Sequence, residues 1–480
     1  MSARPDNALH SRYASRDMAA TFSSQHRYST WRRLWILLAE CQQELGLPIT
    51  DRQLEVLRQA APGLDLARVA ELEAETRHDV VAHLRHFKEQ ADAIDAECGA
   101  GGILHLGATS AFITDNTDVV LLREALDLLR GRLAAALSAF AAFAREHARV
   151  PCLAYTHFQP AQLTTVGKRA CLWAQDFWMD LGEISRRREG FRCRGVKGTT
   201  GTQASYLTLF AGDGEKIRGL DRRFAHRLGF AESMPLTGQT YSRKQDSQLL
   251  AALAGIAESA HKFGTDLRLL QGVGELSEPF GKNQVGSSAM AYKRNPIRAE
   301  RMCALARRLI SDSLNGPMTT ATNWLERSLD DSANRRLVLT DAFLTADAVA
   351  GLAGHIASGL VVRRNTVAAR VARELPFMAT ETFLMEAVLR GGDRQDLHER
   401  IRTLSLAAQE ALEGGAGENP LLDAIADDPA FGLSRQDLDG LVDPQAFTGR
   451  SARQVEEFLS EHLEPALEGV EAKGAEGPRV

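Results

Sequence analysis

Hydrophobic residues recur at helical spacing along most of the chain, whereas the alternating pattern of a β-strand is scarce. The clearest stretch, 118–150, contains no proline and a single glycine, Gly131. A helix over this range is about 45–50 Å long at 1.5 Å per residue. Helices of this length predict an extended bundle whose apolar faces meet across subunits. The same periodicity predicts further helices at about 29–48, 160–190, 241–272, 298–315 and 333–358.

The charged, unpatterned stretch VVRRNTVAAR at 361–370 indicates a domain boundary, after which the predicted helices are shorter. The residues Ser451 to Gln454 have the capping-box pattern that starts a helix. The final ten residues, EAKGAEGPRV, are expected to be disordered. The sequence therefore predicts an all-α fold with a long central helix bundle and three helical domains, at 1–110, 111–363 and 364–480.

Composition narrows the classes of protein that the chain can belong to. Of its 480 residues, 44% are hydrophobic and 25% are charged, which is typical of a globular protein with a sizeable core. The net charge of −5 provides no overall basic field for nucleic acid. The longest near-apolar run, at 133–144, is too short to cross a bilayer, and the N-terminus lacks the apolar segment of a signal peptide. The six scattered cysteines contain no CxxC pair, which favours a reducing cytoplasm over a disulfide framework or a zinc site.

Short polar segments interrupt the helical pattern, and loops held by a rigid scaffold often carry function. They are rich in histidine, serine, threonine and arginine, and they lack the Asp/Glu clusters that suit metals. Each segment by itself also has a purely structural interpretation, such as a helix cap or a tight turn. Together they predict binding of a polyanionic substrate and proton transfer without a metal. The segments are RYAS (12–15), TRHDVVAH (76–83), HLGATS (105–110), THFQPAQ (156–162), GVKGTTGTQAS (195–205), TGQTYSRK (237–244), GSSAMAYKRNP (286–296) and ERSLDDSANRR (326–336).

The segment GSSAMAYKRNP resembles the signature of the fumarase/aspartase/argininosuccinate lyase superfamily, and THFQPAQ resembles a second block of that superfamily. With the other polar segments, ELPFMATE (374–381) and FTGR (447–450), the chain is similar to the animal-type adenylosuccinate lyase family from about residue 12 to about residue 467. One departure is visible, because the family has a proline where this chain has Ala291. Alanine gives this loop more backbone freedom than proline but removes no chemical group.

The resemblance implies a fumarase/aspartase-like fold with a tetrameric helical core. It also implies β-elimination of fumarate from adenylosuccinate, giving AMP, and from the succinyl-carboxamide intermediate SAICAR, giving AICAR, in purine nucleotide biosynthesis. The reaction needs two proton transfers and stabilisation of a carbanion-like intermediate, and it uses neither a metal nor another cofactor. The implied partners are these small molecules and three further copies of the chain in a homotetramer, with no nucleic acid and no membrane.

The resemblance also implies roles for individual residues. His157 would be the acid that protonates the leaving nitrogen, and Ser287 would be the base, with Ser288 left open as the alternative. Lys293 would stabilise developing negative charge, and His78 would support the acid chemistry or the phosphate. Three subunits of the tetramer would together build each site. The implied substrate-binding residues are Arg12 and Tyr13 at the phosphate end, followed by Arg77, Asp79, Thr109, Ser110, Gln239, Asn295, Arg301, Arg327, Ser332 and Arg336.

Two alternatives compete with this interpretation. The first is another lyase of the superfamily, such as an argininosuccinate lyase. Its substrate lacks a nucleotide phosphate, and the matches at RYAS, RHDVVAH and LDDSANRR argue against it. The second is a non-catalytic helical oligomer, because a fold alone does not fix a function. A scaffold without activity has no need of His157, Ser287, Lys293 and Asn295 together.

Overall fold

The computed structural model describes residues 7–281, 283–284, 286, 289–290 and 292–474. The first described element is a single π-helical turn, Leu9–Tyr13. The α-helices are α1 Arg16–Thr21, α2 Ser24–Glu44, α3 Asp51–Ala60, α4 Leu66–Thr76, α5 Asp79–Asp95, α6 Ser110–Glu146, α7 Val166–Glu189, α8 Ala204–Leu209, α9 Gly214–Arg227, α10 Lys244–Gly272, α11 Ile297–Ser313, α12 Asn315–Thr322, α13 Asp330–Ser358, α14 Arg364–Met378, α15 Thr380–Leu389, α16 Arg394–Glu413, α17 Leu421–Asp427, α18 Arg435–Leu441, α19 Ser451–Phe458 and α20 Glu464–Leu467.

The long helices α6, α7, α10, α11 and α13 pack side by side and form the central bundle. They bury one large hydrophobic core, which extends into the N-terminal helices and also takes in Val455, Leu459 and Leu463 near the C-terminus. A separate hydrophobic cluster joins α15 to α18. The predicted all-α fold with a long central bundle is thus confirmed, and the division into three domains stays a prediction.

Strands make only a small contribution in the described part of the chain. β1 (Pro151–Thr156) and β2 (Gln159–Thr165) form an antiparallel hairpin, and β3 (Leu276–Ser277) pairs with β4 (Val361–Val362). The hairpin explains why α7 begins at residue 166 and not near 160 as predicted. Residues 159–165 are committed to backbone pairing with a strand that periodicity within a single segment does not reveal.

The expected capping box at Ser451 is wrong. α19 starts after Arg450, no side chain caps it, and Ser451 is already a buried helical residue. The expected disorder of the last ten residues is also wrong for 471–474. These residues pack against Gly131, and the amide of Lys473 donates a hydrogen bond to its carbonyl oxygen (2.9 Å). Residues 475–480 lie outside the described part of the chain.

Among the described residues, one helix, α13, is long and apolar enough to cross a membrane by length and composition alone. However, 72% of its most apolar window is buried inside the protein, and the helix packs against α6, α10 and α11. The central helix of a helical bundle has the same character, so the apolar length of α13 is explained by its place in the core.

A buried carboxyl group lies between two helices of the bundle. Asp180 on α7 accepts a hydrogen bond from Ser259 Oγ on α10 (2.6 Å), and its side chain is almost inaccessible to water. Burial raises the pKa of this carboxyl to about 7; the Ser259 hydrogen bond opposes the rise, and the negative charges of Asp176 and Glu258 add to it. The folded protein therefore holds a proton on Asp180 at pH values where the unfolded chain has released it.

The stability of the wild type should accordingly fall as pH rises through this range. Between pH 6 and pH 8 we expect it to lose about 1.4 kcal/mol of unfolding free energy relative to Asp180→Asn, which cannot ionise there. Urea unfolding at both pH values and one protein concentration measures the difference. Glu189→Gln removes an exposed carboxylate at the C-terminal end of α7 that does not act on Asp180, and it serves as the control. If the unfolding free energies of the wild type and Asp180→Asn differ by the same amount at both pH values, Asp180 does not have the raised pKa.

Candidate active site

A cavity of about 750 Å³ opens where the N-terminal helices meet the central bundle. Its wall combines residues from α2, the turn between α4 and α5, the start of α6, the segment before α10 and the start of α13. Nine of the sixteen residues proposed from the sequence line it. These nine are Arg77, His78, Asp79, Thr109, Ser110, Gln239, Arg327, Ser332 and Arg336.

Three helices begin at the cavity. His78 is the N-cap of α5, Thr109 is the N-cap of α6, and Leu329 is the N-cap of α13, and all three residues line the wall. No side-chain hydrogen bond caps α6 or α13. The first amides of a helix are unsatisfied donors and carry part of the positive end of the helix dipole. The α6 and α13 ends, which no side chain caps, therefore favour a ligand with negative charge in this cavity.

Charged side chains in the wall also favour an anionic ligand. Among the described residues, six arginines and four carboxylates line the cavity. Three of the arginines are committed to carboxylates, because Arg27 and Arg335 both contact Asp118, and Arg243 contacts Asp115. The other three are Arg77, Arg327 and Arg336, all of which the resemblance places in the substrate site. Two of them have longer contacts with carboxylates, since Arg336 lies 3.5 Å from Asp79 and Arg327 lies 3.8 Å from Asp331.

Beneath the cavity lies a buried network of ion pairs. Arg243 donates through Nη1 and Nη2 to the two carboxylate oxygens of Asp115 (3.2 and 3.1 Å) and through Nε to Asp331 (2.6 Å). Arg335 donates to Asp246 (2.6 Å) and to the hydroxyl of Tyr241 (2.7 Å). Since these residues belong to α6, α10, α13 and the segment before α10, the network fixes the relative positions of the elements that carry the cavity wall.

Asp118 and Arg335 keep their charges despite burial. Burial opposes ionisation of Asp118, yet Arg27 at 2.5 Å and Arg335 at 3.2 Å outweigh it and hold the pKa of the carboxyl below its ordinary value. Burial likewise opposes the charge of Arg335, but Asp246 and its other acidic neighbours raise its pKa well above the ordinary value. Asp118 and Arg335 therefore place two charges in the floor of the cavity that do not titrate near neutral pH.

The side chain of His78 is held in place by hydrogen bonds at the start of α5. Its Nδ1 accepts a long hydrogen bond from the amide of Val81 (3.4 Å), and its Nε2 lies 3.3 Å from Ser110 Oγ. If Nδ1 accepts, the proton of the neutral ring is on Nε2, which then donates to Ser110. Arg77, the residue before it, has a left-handed backbone conformation (φ 53°), which non-glycine residues adopt at a cost. Strain of this kind is frequent in residues that bind ligands.

Gln239 and Arg327 are positioned by the close approach of the two segments that carry them. The amide of Gln239 donates to the carbonyl oxygen of Glu326 (3.0 Å), and Arg327 Nη1 donates to Gln239 Oε1 (2.8 Å). The two segments approach so closely that a Cβ on Gly238 would lie 2.4 Å from the Glu326 oxygen. Glycine at 238 is therefore needed for the amide of Gln239 and the guanidinium of Arg327 to reach the cavity together.

The other proposed residues do not line this cavity. His157 is exposed at the turn between β1 and β2, where it and Phe158 both have positive φ (53° and 58°). Its hairpin is anchored at Tyr155, whose hydroxyl donates to the buried carboxylate of Glu275. Positive φ at both positions is the geometry of the two-residue loop that joins the paired residues Thr156 and Gln159, and it leaves the imidazole of His157 at the exposed tip of an anchored hairpin.

A third group lies around the start of α11. The guanidinium of Arg301 is 5.9 Å from the ring centre of Tyr13, which follows Arg12 in the N-terminal segment. Lys293 is exposed, and Asn295 Nδ2 donates to the carbonyl oxygen of Gly286 (3.1 Å). Ser287, Ser288 and Ala291 lie outside the described residues. Within the described part of the chain, no group of three or more His, Cys, Asp or Glu residues is placed to hold a metal ion.

Comparison with known proteins places these features in a family. Residues 18–311 match the family described as lyase, and residues 376–458 match the family described as adenylosuccinate lyase C-terminus. The chain is 48% identical to adenylosuccinate lyase of Saccharomyces cerevisiae over 96% of its own length and 95% of the relative. The chain belongs to the adenylosuccinate lyase family. It is therefore a lyase.

Other members of the adenylosuccinate lyase family are similar over the same length. The Schistosoma mansoni enzyme is 43% identical to this chain, and the match covers 96% of this chain and 95% of the relative. The Pyrococcus abyssi enzyme is 28% identical, and the match covers 94% of this chain and 97% of the relative. A solved 3-carboxy-cis,cis-muconate lactonizing enzyme from Pseudomonas putida superposes with a TM-score of 0.81 at 22% identity, covering 95% of this chain and 99% of its own. The structure of a fumarate lyase from Mesorhizobium superposes with a TM-score of 0.77 at 22% identity, covering 95% of this chain and 100% of its own. These two structures confirm the fold.

The buried network of ion pairs in this adenylosuccinate lyase family member was not predicted from the sequence. Arg243 and Arg335 lie inside polar segments that were singled out, but Asp115 and Asp118 do not. A signal was present, because two acidic residues occur in the first turns of a helix that is otherwise rich in leucine. Acidic side chains are rarely buried without a partner, so their place on a core helix predicts basic partners nearby.

Gly286 offers a test of the loop that precedes α11. A Cβ at this position would lie 2.1 Å from the carbonyl oxygen of Lys293, so Gly286→Ala must open the turn that brings Gly286 to Asn295. We expect kcat to fall by about tenfold or more with little change in Tm, since a misplaced loop costs rate before it costs stability. Gly281→Ala is the control, because its Cβ would lie 3.5 Å from its nearest neighbour, in ordinary contact. Equal kcat values for the two variants would contradict this expectation.

Proposed function

We propose that this lyase cleaves the C–N bond of adenylosuccinate by β-elimination, giving AMP and fumarate, and cleaves SAICAR in the same way, giving AICAR and fumarate. The observation that carries the proposal is the cavity in which nine of the proposed residues meet three helix N-termini and three arginines. Two of these arginines have only long contacts with carboxylates, Arg336 at 3.5 Å from Asp79 and Arg327 at 3.8 Å from Asp331. Both substrates carry two carboxylates and a phosphate, and this arrangement suits such a polyanion.

In the proposed mechanism His157 is the acid and Ser287 is the base, with Ser288 as the alternative base. The base removes the proton from the carbon next to a succinyl carboxylate, and the acid protonates the departing nitrogen. Negative charge then accumulates on that carboxylate, which Lys293, Asn295 and nearby amides would stabilise. The exposure of His157 at the tip of the anchored β1–β2 hairpin supports its role, since the imidazole is free to reach a substrate bound outside the hairpin.

The substrate-binding assignments follow the same proposal. Thr109, Ser110 and Gln239 would hold the succinyl carboxylates, with the amides at the start of α6 as further donors. Arg77, Asp79, Arg327, Ser332 and Arg336 would line the same pocket and complete the grip, and Arg12, Tyr13 and Arg301 would belong to the phosphate end. His78 would assist either the acid or the phosphate. No metal or cofactor takes part.

The proposed active form is a homotetramer in which three subunits build each site. Two features support it. The acid His157 and the residues Lys293 and Arg301 do not line the cavity of their own chain. In addition, Trp324 and Leu325 beside the cavity are 73% and 96% exposed in the single chain. Apolar side chains this exposed, grouped on one surface, are typical of a subunit interface. We place the protein in the cytoplasm, in keeping with its six free cysteines.

The deciding experiment is steady-state kinetics of the purified protein with adenylosuccinate and with SAICAR, followed by loss of the long-wavelength absorbance of each substrate and by fumarate release. Turnover of both is the expected result. Turnover of argininosuccinate in their place would replace this function with that of another superfamily lyase. No turnover of any of the three, by a folded tetramer, would favour a scaffold without catalytic activity.

A further inference from the structure

A C-terminal strap, residues 471–474, lies against the middle of the longest helix of the protein. The amide of Lys473 donates to the carbonyl oxygen of Gly131 on α6 (2.9 Å). In return, Arg132 Nη1 donates to the carbonyl oxygens of Lys473 (2.9 Å) and Gly474 (2.5 Å). All three bonds use the backbone of the strap, so they fix its path and do not depend on its side chains.

Gly131 leaves the space that the strap occupies. A Cβ at this position would lie 2.8 Å from Lys473 Cγ and 3.0 Å from the carbonyl oxygen of Glu471. Glycine weakens the interior of a helix relative to alanine. This is the single glycine of the predicted 118–150 helix, and the close approach of the strap accounts for it.

Arg132 connects the strap to the N-terminal segment. Its side chain is only 3% exposed, and Nε donates to Oδ1 of the buried Asp347 on α13 (3.1 Å). The other oxygen of Asp347 accepts a hydrogen bond from the backbone amide of Ser15 (2.7 Å). Arg132 also lies 3.6 Å from Asp17 in α1. A continuous line of charge-assisted contacts therefore runs from the strap through the core to Ser15.

Ser15 is the point at which the N-terminal segment is fixed. It caps α1, its Oγ accepting from the amide of Met18 (3.1 Å), and it lies two residues after Tyr13. Without the strap, Arg132 Nη1 would lose both of its carbonyl acceptors, and the guanidinium would be uncovered on the side where the strap now lies. Water would then compete with Asp347 for this guanidinium, so the contact from Asp347 to Ser15 depends on the strap.

We propose that the C-terminal strap and Arg132 are positioning elements for residues 12–15, and that they set how tightly the site holds the phosphate end of its substrate. The inference rests on the proposed function, in which Arg12 and Tyr13 bind that end. The strap does not touch substrate. It acts through Arg132, Asp347 and the amide of Ser15.

Two variants remove the strap by different routes. Truncation after Val470 deletes it, and Gly131→Ala displaces it while favouring the helix. Gly182→Ala is the matched control, because it makes the same change within α7 where a Cβ meets nothing within 4 Å. Each protein is assayed with adenylosuccinate and with the corresponding nucleoside, which lacks the phosphate.

We expect both strap variants to raise KM for adenylosuccinate about tenfold, the effect of one lost charge-assisted contact, with a smaller change in kcat. Turnover of the nucleoside by the strap variants should stay within about twofold of that by the wild type. The ratio of activity on adenylosuccinate to activity on the nucleoside should therefore fall. Gly182→Ala should match the wild type on both substrates. An equal loss on both substrates would show that the strap is merely structural, and unchanged KM values would equally overturn the proposal.

Amide hydrogen exchange separates failure of this inference from failure of the proposed function. Exchange at residues 9–15 should become faster in the truncated protein and in Gly131→Ala but not in Gly182→Ala. This measurement needs no substrate, so it tests the strap even if the wild type does not cleave adenylosuccinate. Unchanged exchange at 9–15 in the truncated protein would refute the positioning role while leaving the proposed function intact.

Discussion

Replacing His157 with asparagine is expected to lower kcat by about 10²–10⁴-fold, the usual contribution of a general acid. Asparagine tolerates the left-handed backbone (φ 53°) of this turn better than alanine does, so the β1–β2 hairpin should keep its shape. It cannot donate a proton as histidine does. Because the residue is exposed and the hairpin is anchored at Tyr155 and not at the tip, Tm should change little. Steady-state kinetics with adenylosuccinate, beside a thermal unfolding curve, measure both quantities.

His398→Asn is the matched control for this experiment. It makes the same change at an exposed histidine on α16, outside every proposed site. The control should retain the kcat and KM of the wild type. If His157→Asn also keeps the kcat of the wild type, His157 is not the acid, and the assignment taken from THFQPAQ is wrong.

Replacing Arg243 with methionine is expected to cost about 3–5 kcal/mol of unfolding free energy. The side chain is 1% exposed, and its loss leaves the buried carboxylates of Asp115 and Asp331 without their closest cation. A buried charge without a partner is far more costly than the intact pair is favourable. Since these residues connect α6 to α13 beneath the cavity, activity should be lost as well. Urea unfolding at a fixed protomer concentration is the appropriate measurement, because assembly contributes to apparent stability.

The control for Arg243 is a pair on the surface. Arg186→Met breaks an ion pair of 2.7 Å with Glu183, but the arginine side chain is 62% exposed. Water solvates both charges there, so the expected loss is below about 1 kcal/mol. Similar losses for the two variants would mean that water reaches the Arg243 network and that the floor of the cavity is not fixed in the way described.

The start of α6 shows where periodicity succeeds and where it stops. The leucine pattern predicted a helix from about 118, and the helix is present, but it begins at Ser110. Its first turns contain Asp115 and Asn116, which look like surface residues but are buried. Asn116 exchanges hydrogen bonds with the backbone of Gly195, and Asp115 pairs with Arg243. The pattern fails there because the partners that make burial of these polar groups favourable are distant in sequence.

The proposed site shows the same contrast between local motifs and contacts that are distant in sequence. Local motifs identified nine residues that line one cavity, since each motif keeps its residues at the end of a helix or in the connection beside it. They did not identify the ion pairs beneath that cavity or the strap on Gly131, because both depend on segments that meet only after folding. The sequence by itself determined the helical class, the long bundle and the chemical groups available for catalysis. These properties are encoded in local periodicity and in short motifs. Only the tertiary structure decided which helix ends converge, which arginines are neutralised by buried carboxylates, and which glycine admits the C-terminal strap, since each of these is a contact between residues far apart in the chain.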